Sequence, residues 1–553
     1  MRYKSTRGGG GGGGGTAATS SQQEEEYYSF EEALFSGYAP DGGLFVPVVS
    51  LPSIIIRGEK NNEGEHDQYL LWSKMTFPEL AFDILRKFIS TTEINDTNLK
   101  SICDKSYPAH AFDDECYIPI QTVGGGSLHI AELFHGPTFC FKDFGMRPVI
   151  NFLSYFTELR NRPTTLLVST TGDTGPAAVH AVNDASNPLL TILVHYPYGQ
   201  ISDFQRRQLT TLQSDFVKVA SFEGGGDDMD WPIKETLLSS KNGGGGAEGG
   251  RMFCGINSYN IGRPLVQMTL FIWIYLRMAE KLGLSPGDEN SPIDMVLPTG
   301  AMGNLTGAYM AKQMGVPIGK LYCGVNSNDI THRVIERGEF HHQKMKKTLS
   351  EALNVEVPYN FERILFYLTG GNESLVKEWM ETMDKTKQLT LNEQWLKRLQ
   401  QDFQSASISD DEMCHALREV YETESYLVDP HSAVAIAAAK KLGCLCDDES
   451  SSNSRVTQQA AAEPTTNLQR KVVIISTASP CKFEEAVTIA LGKESWNEWK
   501  SNFFPPRAQR TMDMVEVEPY HYQWDHSRYS TLEEVQSVWR DEMMHIVTTN
   551  FGE

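Results

Sequence analysis

The feature that most constrains the fold of this chain is a pattern that occurs three times: a short apolar run, a loop of small polar residues, and a helix-forming segment. The apolar runs are Thr165–Ser169, Ile293–Leu297 and Lys471–Ile475. The helix-forming segments that follow them are Ala177–Ala185, Leu305–Met314 and Cys481–Leu491. Repeated strand–loop–helix units predict an α/β fold whose sheet is largely parallel.

The loops between these predicted strands and helices are Thr170–Gly175, Pro298–Asn304 and Ser476–Pro480. Ligands of open α/β sheets bind beyond the carboxyl ends of the strands, so three such loops indicate one shared site. Free N–H groups at a helix start attract anions, which suits Gly300–Asn304 to a phosphate. Taken singly, each loop is also an ordinary strand–helix turn. No strand is followed by a Gly-x-Gly-x-x-Gly fingerprint or a P-loop, which disfavours a nucleotide-dependent dehydrogenase.

A second candidate feature is Lys142, which follows the aromatic stretch Phe139–Phe141 and precedes Asp143 and Phe144. Desolvation among such neighbours favours an uncharged amine, and an uncharged amine is the nucleophile that a Schiff-base lysine needs. The alternative is a lysine whose stem packs against apolar groups while its amine reaches water. The residues alone leave both interpretations open.

The charge and the cysteine pattern of the chain argue against several classes of protein and of binding partner. Acidic residues outnumber basic ones by 71 to 49, a formal charge of −22, which argues against nucleic acid or an anionic membrane surface as partner. No apolar stretch reaches the ~18 residues that span a bilayer, and the N-terminus lacks the apolar core of a secretory signal. The nine cysteines contain no Cys-x-x-Cys pair, so we expect reduced thiols, no metal site and a cytoplasmic location. An organellar transit peptide is an alternative that the composition leaves open, since Arg2, Lys4 and Arg7 precede a Ser/Thr-containing stretch.

Seven segments carry an ordered set of motifs: Ser29–Ala33, Ala39–Pro47, Glu132–Asp143, Thr171–Gly175, Asn257–Arg263, Asp429–Val434 and Ser476–Phe483. This set, spread over residues 27–495, resembles the threonine synthase family. The resemblance implies the pyridoxal-phosphate (PLP) fold type II, shared with the tryptophan synthase β subunit. Tyr3–Arg7 is similar to the start of the family, displaced by a glycine insert, which argues against a cleaved presequence.

The resemblance also implies a division of the chain. Residues 1–26 are expected to be a glycine-rich flexible segment, and residues 27–112 a threonine synthase-type N-terminal domain. Residues 113–496 would form the PLP-binding catalytic region of two lobes. Within that region, low-complexity sequence near 243–250 and 447–468 predicts disordered inserts. The segment 497–553 receives no role. The implied partner is a small phosphorylated amino acid, and the implied state is a monomer or homodimer.

The resemblance assigns roles residue by residue. Lys142 would carry PLP and act as the catalytic base. The residues implied to hold the cofactor phosphate are Gly300, Ala301, Met302, Gly303 and Asn304, while Thr477 would face the pyridine nitrogen. The loop implied to hold the substrate carboxylate contains Thr171, Asp173 and Thr174. The side chains implied to face the substrate phosphate are Asn260, Arg263 and Lys482.

Departures from the family pattern bear on the reaction. Threonine synthases usually carry Gly-Asn-Phe-Gly where this chain has Gly300-Ala301-Met302-Gly303, and Ser479 replaces a usual histidine. The Gly-Ala-x-Gly-Asn loop is nearer to the threonine synthase-like protein 2 branch, and so are Asp329–Arg333, Val357–Asn360 and Trp231–Lys234. That branch is associated with phospho-lyase activity. We therefore expect elimination of phosphate from O-phosphohomoserine, and also from O-phosphothreonine, with 2-oxobutyrate, phosphate and ammonia as products.

Two alternatives stay open. One is a threonine synthase, which makes L-threonine and phosphate from O-phosphohomoserine and water. The other is a non-catalytic paralogue that serves as a binding module. The presence of Lys142 and of the glycine loop disfavours this second alternative.

Overall fold

The computed structural model describes residues 1–8, 27–48, 51, 65–124, 128–212, 214–242, 250–445 and 471–551. Residues 9–26 of the predicted flexible segment lie outside the described residues, as does the predicted insert at 447–468. The insert near 243–250 lies outside them as well, apart from Gly250. The predicted domain limits at residues 112 and 496 stay predictions.

The described strands and helices alternate along most of the chain. The strands are β1 (Tyr3–Ser5), β2 (Phe45–Pro47), β3 (Ile120–Val123), β4 (Leu128–Glu132), β5 (Thr164–Ser169), β6 (Leu190–Pro197), β7 (Val217–Phe222), β8 (Met252–Gly255), β9 (Ile293–Pro298), β10 (Ile318–Val325), β11 (Glu339–His341), β12 (Gln388–Thr390), β13 (Phe403–Ser407), β14 (Val472–Ser476) and β15 (Tyr520–Tyr522). The helices are α1 (Phe30–Ser36), α2 (Glu65–Ser73), α3 (Phe77–Arg86), α4 (Asp96–Ser106), α5 (Lys142–Arg160), α6 (Thr174–Ala185), α7 (Asp203–Thr210), α8 (Asp230–Asn242), α9 (Gly262–Lys281), α10 (Gly303–Gln313), α11 (Ile330–Arg337), α12 (Phe361–Leu368), α13 (Glu373–Thr386), α14 (Glu393–Asp402), α15 (Asp410–Glu424), α16 (Pro430–Lys441), α17 (Glu484–Leu491), α18 (Lys493–Phe503), α19 (Pro506–Asp513) and α20 (Leu532–Phe551).

Two sheets form the centres of two lobes. The larger has the strand order β13-β10-β9-β14-β4-β3, and its pairs are parallel except for β3, which runs antiparallel to β4. The smaller has the order β15-β7-β6-β5-β8 and is parallel throughout. The predicted α/β fold with largely parallel sheets is confirmed. Two antiparallel ribbons, β1-β2 and β11-β12, lie beside these sheets.

The three predicted strand–helix units exist, with one correction. Strands β5, β9 and β14 lie within one residue of their predicted limits. The third helix was expected from Cys481 onward, but Pro480–Lys482 is a 3₁₀ turn and α17 begins at Glu484. Phe483 explains the difference, because its φ of −128° and ψ of 50° are not helical and separate the turn from the helix.

The helix α9 is buried along most of its length. All of its residues from Gly262 to Leu276 are buried, most of them apolar. It packs against α3, α5 and α10. Because α9 is fixed on several sides, its N-terminal residues have a well-defined position, and that end of the helix carries Arg263.

The last segment of the chain completes the smaller lobe. Strand β15 pairs in parallel with β7 at the edge of that sheet. Helix α20 packs against α8, with Trp539 and Met543 buried in the same apolar cluster as Phe222. Strand β15 and helix α20, which belong to the segment 497–553 that received no role from the sequence, therefore extend the fold of this lobe.

Across the described ranges, no helix combines the length and apolarity that a bilayer-spanning segment needs. The same ranges contain no cluster of three or more His, Cys, Asp or Glu side chains that could hold a metal ion. The cysteines within them are free thiols.

Candidate active site

The predicted loops of the two sheets meet at one cleft. Thr170–Thr174 reaches it from the end of β5, Gly300–Asn304 from the end of β9, and Thr477 from the end of β14. Lys142 and Arg263 line the same cleft. Of the residues that the sequence assigned to the site, the structure places all but Asn260 and Lys482 on this wall.

Lys142 is the first residue of α5, and its side chain is 15% exposed. Its Nζ lies 3.5 Å from Oδ2 of Asp173 and 4.8 Å from the ring centroid of Phe141. The N–H of Phe141 donates to the carbonyl of Thr477 at 2.8 Å, which ties the lysine segment to the end of β14. The amine therefore lies inside the cleft, between a carboxylate and an aromatic face.

Asp173 is the most heavily contacted acidic group of the cleft. Its Oδ1 lies 2.7 Å from Nζ of Lys482 and accepts a hydrogen bond of 3.0 Å from Nε2 of Gln205. Burial by itself would raise the pKa of Asp173, but the charges of Lys482 and Lys142 outweigh it and hold that pKa well below its usual range. Asp173 is therefore a carboxylate at neutral pH.

Lys482 and Asn260 lie behind the cleft wall. The amine of Lys482 donates to the carbonyl of Thr138 at 3.0 Å and contacts Asp173. Burial lowers the pKa of Lys482 most, but Asp173, together with Cys140 and Asp143, raises it by more in sum, so the pKa is raised overall. The amide of Asn260 donates to the carbonyls of Leu34 (2.7 Å) and Gly255 (2.9 Å) and accepts from the N–H of Gly262. Asn260 thus shapes the entry into α9.

Arg263 is a buried cation with an unused donor. Its Nη1 donates to the carbonyl of Ile256 at 3.1 Å, whereas its buried Nε has no hydrogen-bond partner among the described residues. Burial lowers the pKa of Arg263 to about 10, which leaves it charged at neutral pH. A buried guanidinium on a cleft wall suits an anionic ligand because charge-assisted bonds would satisfy it.

The loop Gly300–Asn304 presents backbone donors. Within the part of the chain that the structure describes, the N–H groups of these five residues have no acceptor. Met302 has a left-handed φ of 60° and leads into α10, which begins at Gly303. A Cβ on Gly303 would lie 2.9 Å from Cβ of Ser258, so a glycine is required there. The loop has the free donors and the helix start that anion sites use.

Sequence reasoning missed an acidic part of the wall, formed by Asp227 and Asp230. Oδ2 of Asp227 accepts from the N–H of Glu356 at 2.9 Å, and Asp230 accepts from the hydroxyl of Tyr359. Burial raises the pKa of Asp227 to about 7. The signal was present in the acidic residues directly after the run Gly224–Gly226, which was counted only as low-complexity glycine.

His431 also lines the cleft without having been assigned a role. Its Nδ1 lies 2.7 Å from Oδ1 of Asp429, and its Nε2 accepts from the N–H of Ala352 at 3.1 Å. That acceptance fixes the proton on Nδ1. The motif Asp429–Val434 contains this histidine and was the available signal.

Comparison with known proteins decides the family. Residues 122–451 match the family model "Pyridoxal-phosphate dependent enzyme", and residues 18–107 match "Threonine synthase N terminus". Threonine synthase-like 2 of Xenopus laevis is 34% identical over 436 residues, which are 79% of this chain and 83% of the relative. The chain belongs to the threonine synthase family.

Other members of the threonine synthase family agree in sequence and fold. Threonine synthase of Saccharomyces cerevisiae is 30% identical over 513 residues, covering 87% of this chain and 90% of the relative. The crystal structure of PLP-bound threonine synthase from Brucella melitensis aligns with a TM-score of 0.75 at 25% identity, covering 98% of this chain and 99% of that one. The predicted fold type II, the PLP cofactor and the enzyme class are confirmed: this family member is a PLP-dependent enzyme of the threonine synthase type.

Proposed function

We propose that the enzyme eliminates phosphate from O-phosphohomoserine and, with one water consumed, releases 2-oxobutyrate, phosphate and ammonia. One observation carries the substrate class in this proposal: the cleft holds three separate sets of unused donors. They are the N–H groups of Gly300–Asn304, the N–H groups of Thr171, Asp173 and Thr174, and the guanidinium of Arg263. A phosphorylated cofactor and a phosphorylated amino acid together bring three anionic groups: two phosphates and one carboxylate.

The residues present fit PLP. The free N–H groups of Gly300–Asn304, at the start of α10, suit the cofactor's phosphate. Lys142, on the same cleft, offers a primary amine, and Thr477 offers a neutral hydroxyl. When bound, PLP withdraws electrons from the α-carbon of an attached amino acid and makes its proton easier to remove.

The chain's own groups would then bind, orient and move protons. Thr171 and Thr174 stand at the start of α6, where free N–H groups and the helix dipole favour the substrate carboxylate. Lys142 accepts the proton from Cα as general base. Arg263 binds the phosphate at Cγ and stays bound while that group leaves, because its planar fork matches phosphate oxygens.

The choice of lyase over synthase rests on Ala301 and Met302. Both line the cleft, in the loop assigned to the cofactor phosphate. Alanine has no amide that could fix an attacking water, and methionine is too flexible to define a rigid wall. A misplacement of about 1 Å can cost roughly a hundredfold in such a step. Release of the unsaturated product before water adds at Cβ is therefore favoured.

The second candidate is threonine synthase, which adds one water at Cβ and makes L-threonine. It is supported by the 30% identity to the yeast enzyme of that name. The binding groups named above serve both reactions equally, because the two differ only after phosphate has left.

Product analysis tests the proposal. The purified enzyme, loaded with PLP, is given O-phosphohomoserine or O-phosphothreonine, and 2-oxobutyrate, threonine and phosphate are measured. Mainly 2-oxobutyrate supports the lyase, and mainly threonine from O-phosphohomoserine replaces it by the synthase. If neither substrate releases phosphate, both reactions are rejected, and the non-catalytic binding module is the alternative that remains.

A further inference from the structure

One buried carboxylate of the cleft is shared by two lysines of different accessibility. Oδ1 of Asp173 lies 2.7 Å from Nζ of Lys482, and Oδ2 lies 3.5 Å from Nζ of Lys142. The side chain of Lys482 is 0% exposed and does not line the cleft, whereas Lys142 does. Lys482 is therefore shielded behind Asp173, on the side away from any substrate in the cleft.

The pair of Asp173 and Lys482 is held rigidly by its neighbours. Lys482 donates to the carbonyl of Thr138 at 3.0 Å, and that carbonyl also accepts from Nε2 of Gln208 at 3.1 Å. On the carboxylate side, Gln205 donates to Oδ1 at 3.0 Å. Gln205 reaches that position only because residue 172 is a glycine with a φ of +127°, where a Cβ would collide with the glutamine amide.

The charges of this group favour one arrangement. With both lysines protonated, two cations share one anion. When Lys142 becomes uncharged, Asp173 and Lys482 remain as a neutral buried pair, and no lone charge is left in the interior. Without Lys482, the only lysine near the buried carboxylate of Asp173, among the residues that the structure describes, would be Lys142. The carboxylate would then stabilise the protonated form of the Lys142 amine. A protonated amine can neither attack a carbonyl nor accept a proton.

We infer that Lys482 is a positioning residue, which serves as the permanent counter-ion of Asp173 and so leaves the amine of Lys142 available for cofactor capture and proton transfer. The inference rests on the proposed role of Lys142 as the residue that holds PLP. It differs from the expectation that Lys482 binds the substrate phosphate, because the amine is buried behind Asp173.

Other charged and titratable groups also face the pair. His431 at the start of α16 acts on Asp173, and Glu351 in the turn Glu351–Leu353 feels the charge of Asp173. Cys140 and Asp143, on the lysine segment, act on Lys482. None of these four is replaced in the test below, so their contributions cancel between variants.

The test measures how fast the full-length protein, freed of cofactor, captures pyridoxal phosphate at a series of pH values. Capture needs an uncharged amine, so the rate rises with pH to a midpoint. Lys482→Met should move that midpoint upward by about one pH unit or more. Asp173→Asn should move it downward, because the buried cation of Lys482 then lacks its partner. The double variant should return toward the wild-type midpoint.

Control variants separate charge from packing. Lys482→Arg keeps the charge and should keep the midpoint. Lys493→Met removes a lysine that is 58% exposed and paired with Glu484, and it should leave the midpoint unchanged. Circular dichroism checks that each variant is folded. If Lys482→Met does not fold, Lys482→Gln takes its place: an upward shift supports the inference, and no shift overturns it.

Two failures can be told apart. Borohydride trapping followed by peptide mapping shows which lysine captured the cofactor. A label on another lysine removes the proposed role of Lys142. A label on Lys142 with equal midpoints in all variants, or with both single variants shifting in one direction, overturns only the inference about Lys482. No substrate enters this test, so the lyase proposal is judged separately.

Discussion

The guanidinium of Arg7 donates two parallel hydrogen bonds to the carboxylate of Glu362, 3.0 Å from Nε and 2.9 Å from Nη2. The next residue, Arg363, donates to the carbonyls of Ser258 and Tyr259 at 3.1 and 2.6 Å. Ser258 lines the cleft. The ribbon that β1 forms with β2 is therefore connected, through α12, to the loop that supports one wall of the site.

Arg7→Ala should lower the free energy of unfolding by roughly 3 kcal/mol, because it leaves the buried carboxylate of Glu362 without its counter-ion. Urea unfolding measures the change. Arg2→Ala, an exposed arginine of the same segment, is the matched control and should change little. Adding Glu362→Gln to Arg7→Ala should recover part of the loss. Equal unfolding midpoints for wild type and Arg7→Ala would contradict the importance of this pair.

Borohydride treatment of the holoenzyme should attach the cofactor permanently to Lys142. The reason is its position beside Asp173, in the cleft that the free N–H donors of Gly300–Asn304 also line. Peptide mapping by mass spectrometry locates the label, and Lys142→Arg should lose both the label and the yellow colour. Lys482→Arg serves as the comparison, since its amine is shielded from the cleft. A label on Lys482 in the wild type would show that the assignment of Lys142 is wrong.

Arg263→Ala should reduce kcat/KM for phosphorylated substrates. The expected loss of transition-state stabilisation is roughly 2–4 kcal/mol. Its Nε has no partner among the described residues, so a phosphate can satisfy it without breaking an existing bond at that atom. Retention of PLP, measured by absorbance, should change much less.

Arg277→Ala is the matched control for Arg263, because it lies on the same helix α9 and is partly exposed beside Glu280. A surface ion pair contributes under ~1 kcal/mol, so turnover should be nearly unchanged. If Arg263→Ala behaves like Arg277→Ala, Arg263 has no role in binding phosphate.

Ala301→Asn combined with Met302→Phe should raise the ratio of threonine to 2-oxobutyrate formed from O-phosphohomoserine. The amide offers a group that can fix water, and the aromatic ring offers a rigid wall in the loop before α10. Quantification of both products in wild type and variant measures the ratio. Ala308→Ser, a buried position further along α10, is a control that should not alter it. An unchanged ratio would mean that this loop does not decide the product.

Most of the cleft could be predicted because its loops follow directly from apolar runs. The segment at Gly300–Asn304, for example, needs only the adjacent β9 and α10 to be placed. Lys482 and Asn260 could not be placed in this way. Their side chains lie off the cleft because of partners far away in the chain, such as the carbonyl of Thr138 for Lys482, 344 positions distant.

Two other features had weak local signals. Strand β15 has only three residues, two of them exposed, so no apolar pattern marks it as the edge of a sheet. Its position depends on backbone pairing with β7. Asp227 was hidden by the preceding glycines, yet Gly226 is a packing requirement, because a Cβ there would lie 2.7 Å from Cγ2 of Thr171.

The last prediction concerns acid stability and His195, a fully buried residue of β6. Its Nδ1 lies 3.3 Å from the carbonyl of Val168, and its Nε2 lies 3.2 Å from the hydroxyl of Tyr522 in β15. Burial lowers the pKa of His195 to about 4, although the Val168 carbonyl opposes this. In the unfolded chain a histidine titrates near ~6.5, so below that pH the unfolded state binds a proton that the folded state does not. The stabilising contribution is complete above pH ~6.5 and is lost as the pH falls toward the folded value.

Lowering the pH from 7 to 5 should therefore reduce the free energy of unfolding by about 2 kcal/mol through this histidine. His195→Gln keeps hydrogen-bonding groups but cannot be protonated, so its free energy of unfolding should fall less over the same interval. Urea unfolding at both pH values measures the difference. His415→Gln, at a position that is 75% exposed on α15, is the control and should follow the wild type. An equal pH dependence for His195→Gln and wild type would show that another group controls acid unfolding, because the only titrating group removed by that substitution is the imidazole that lies between β6 and β15.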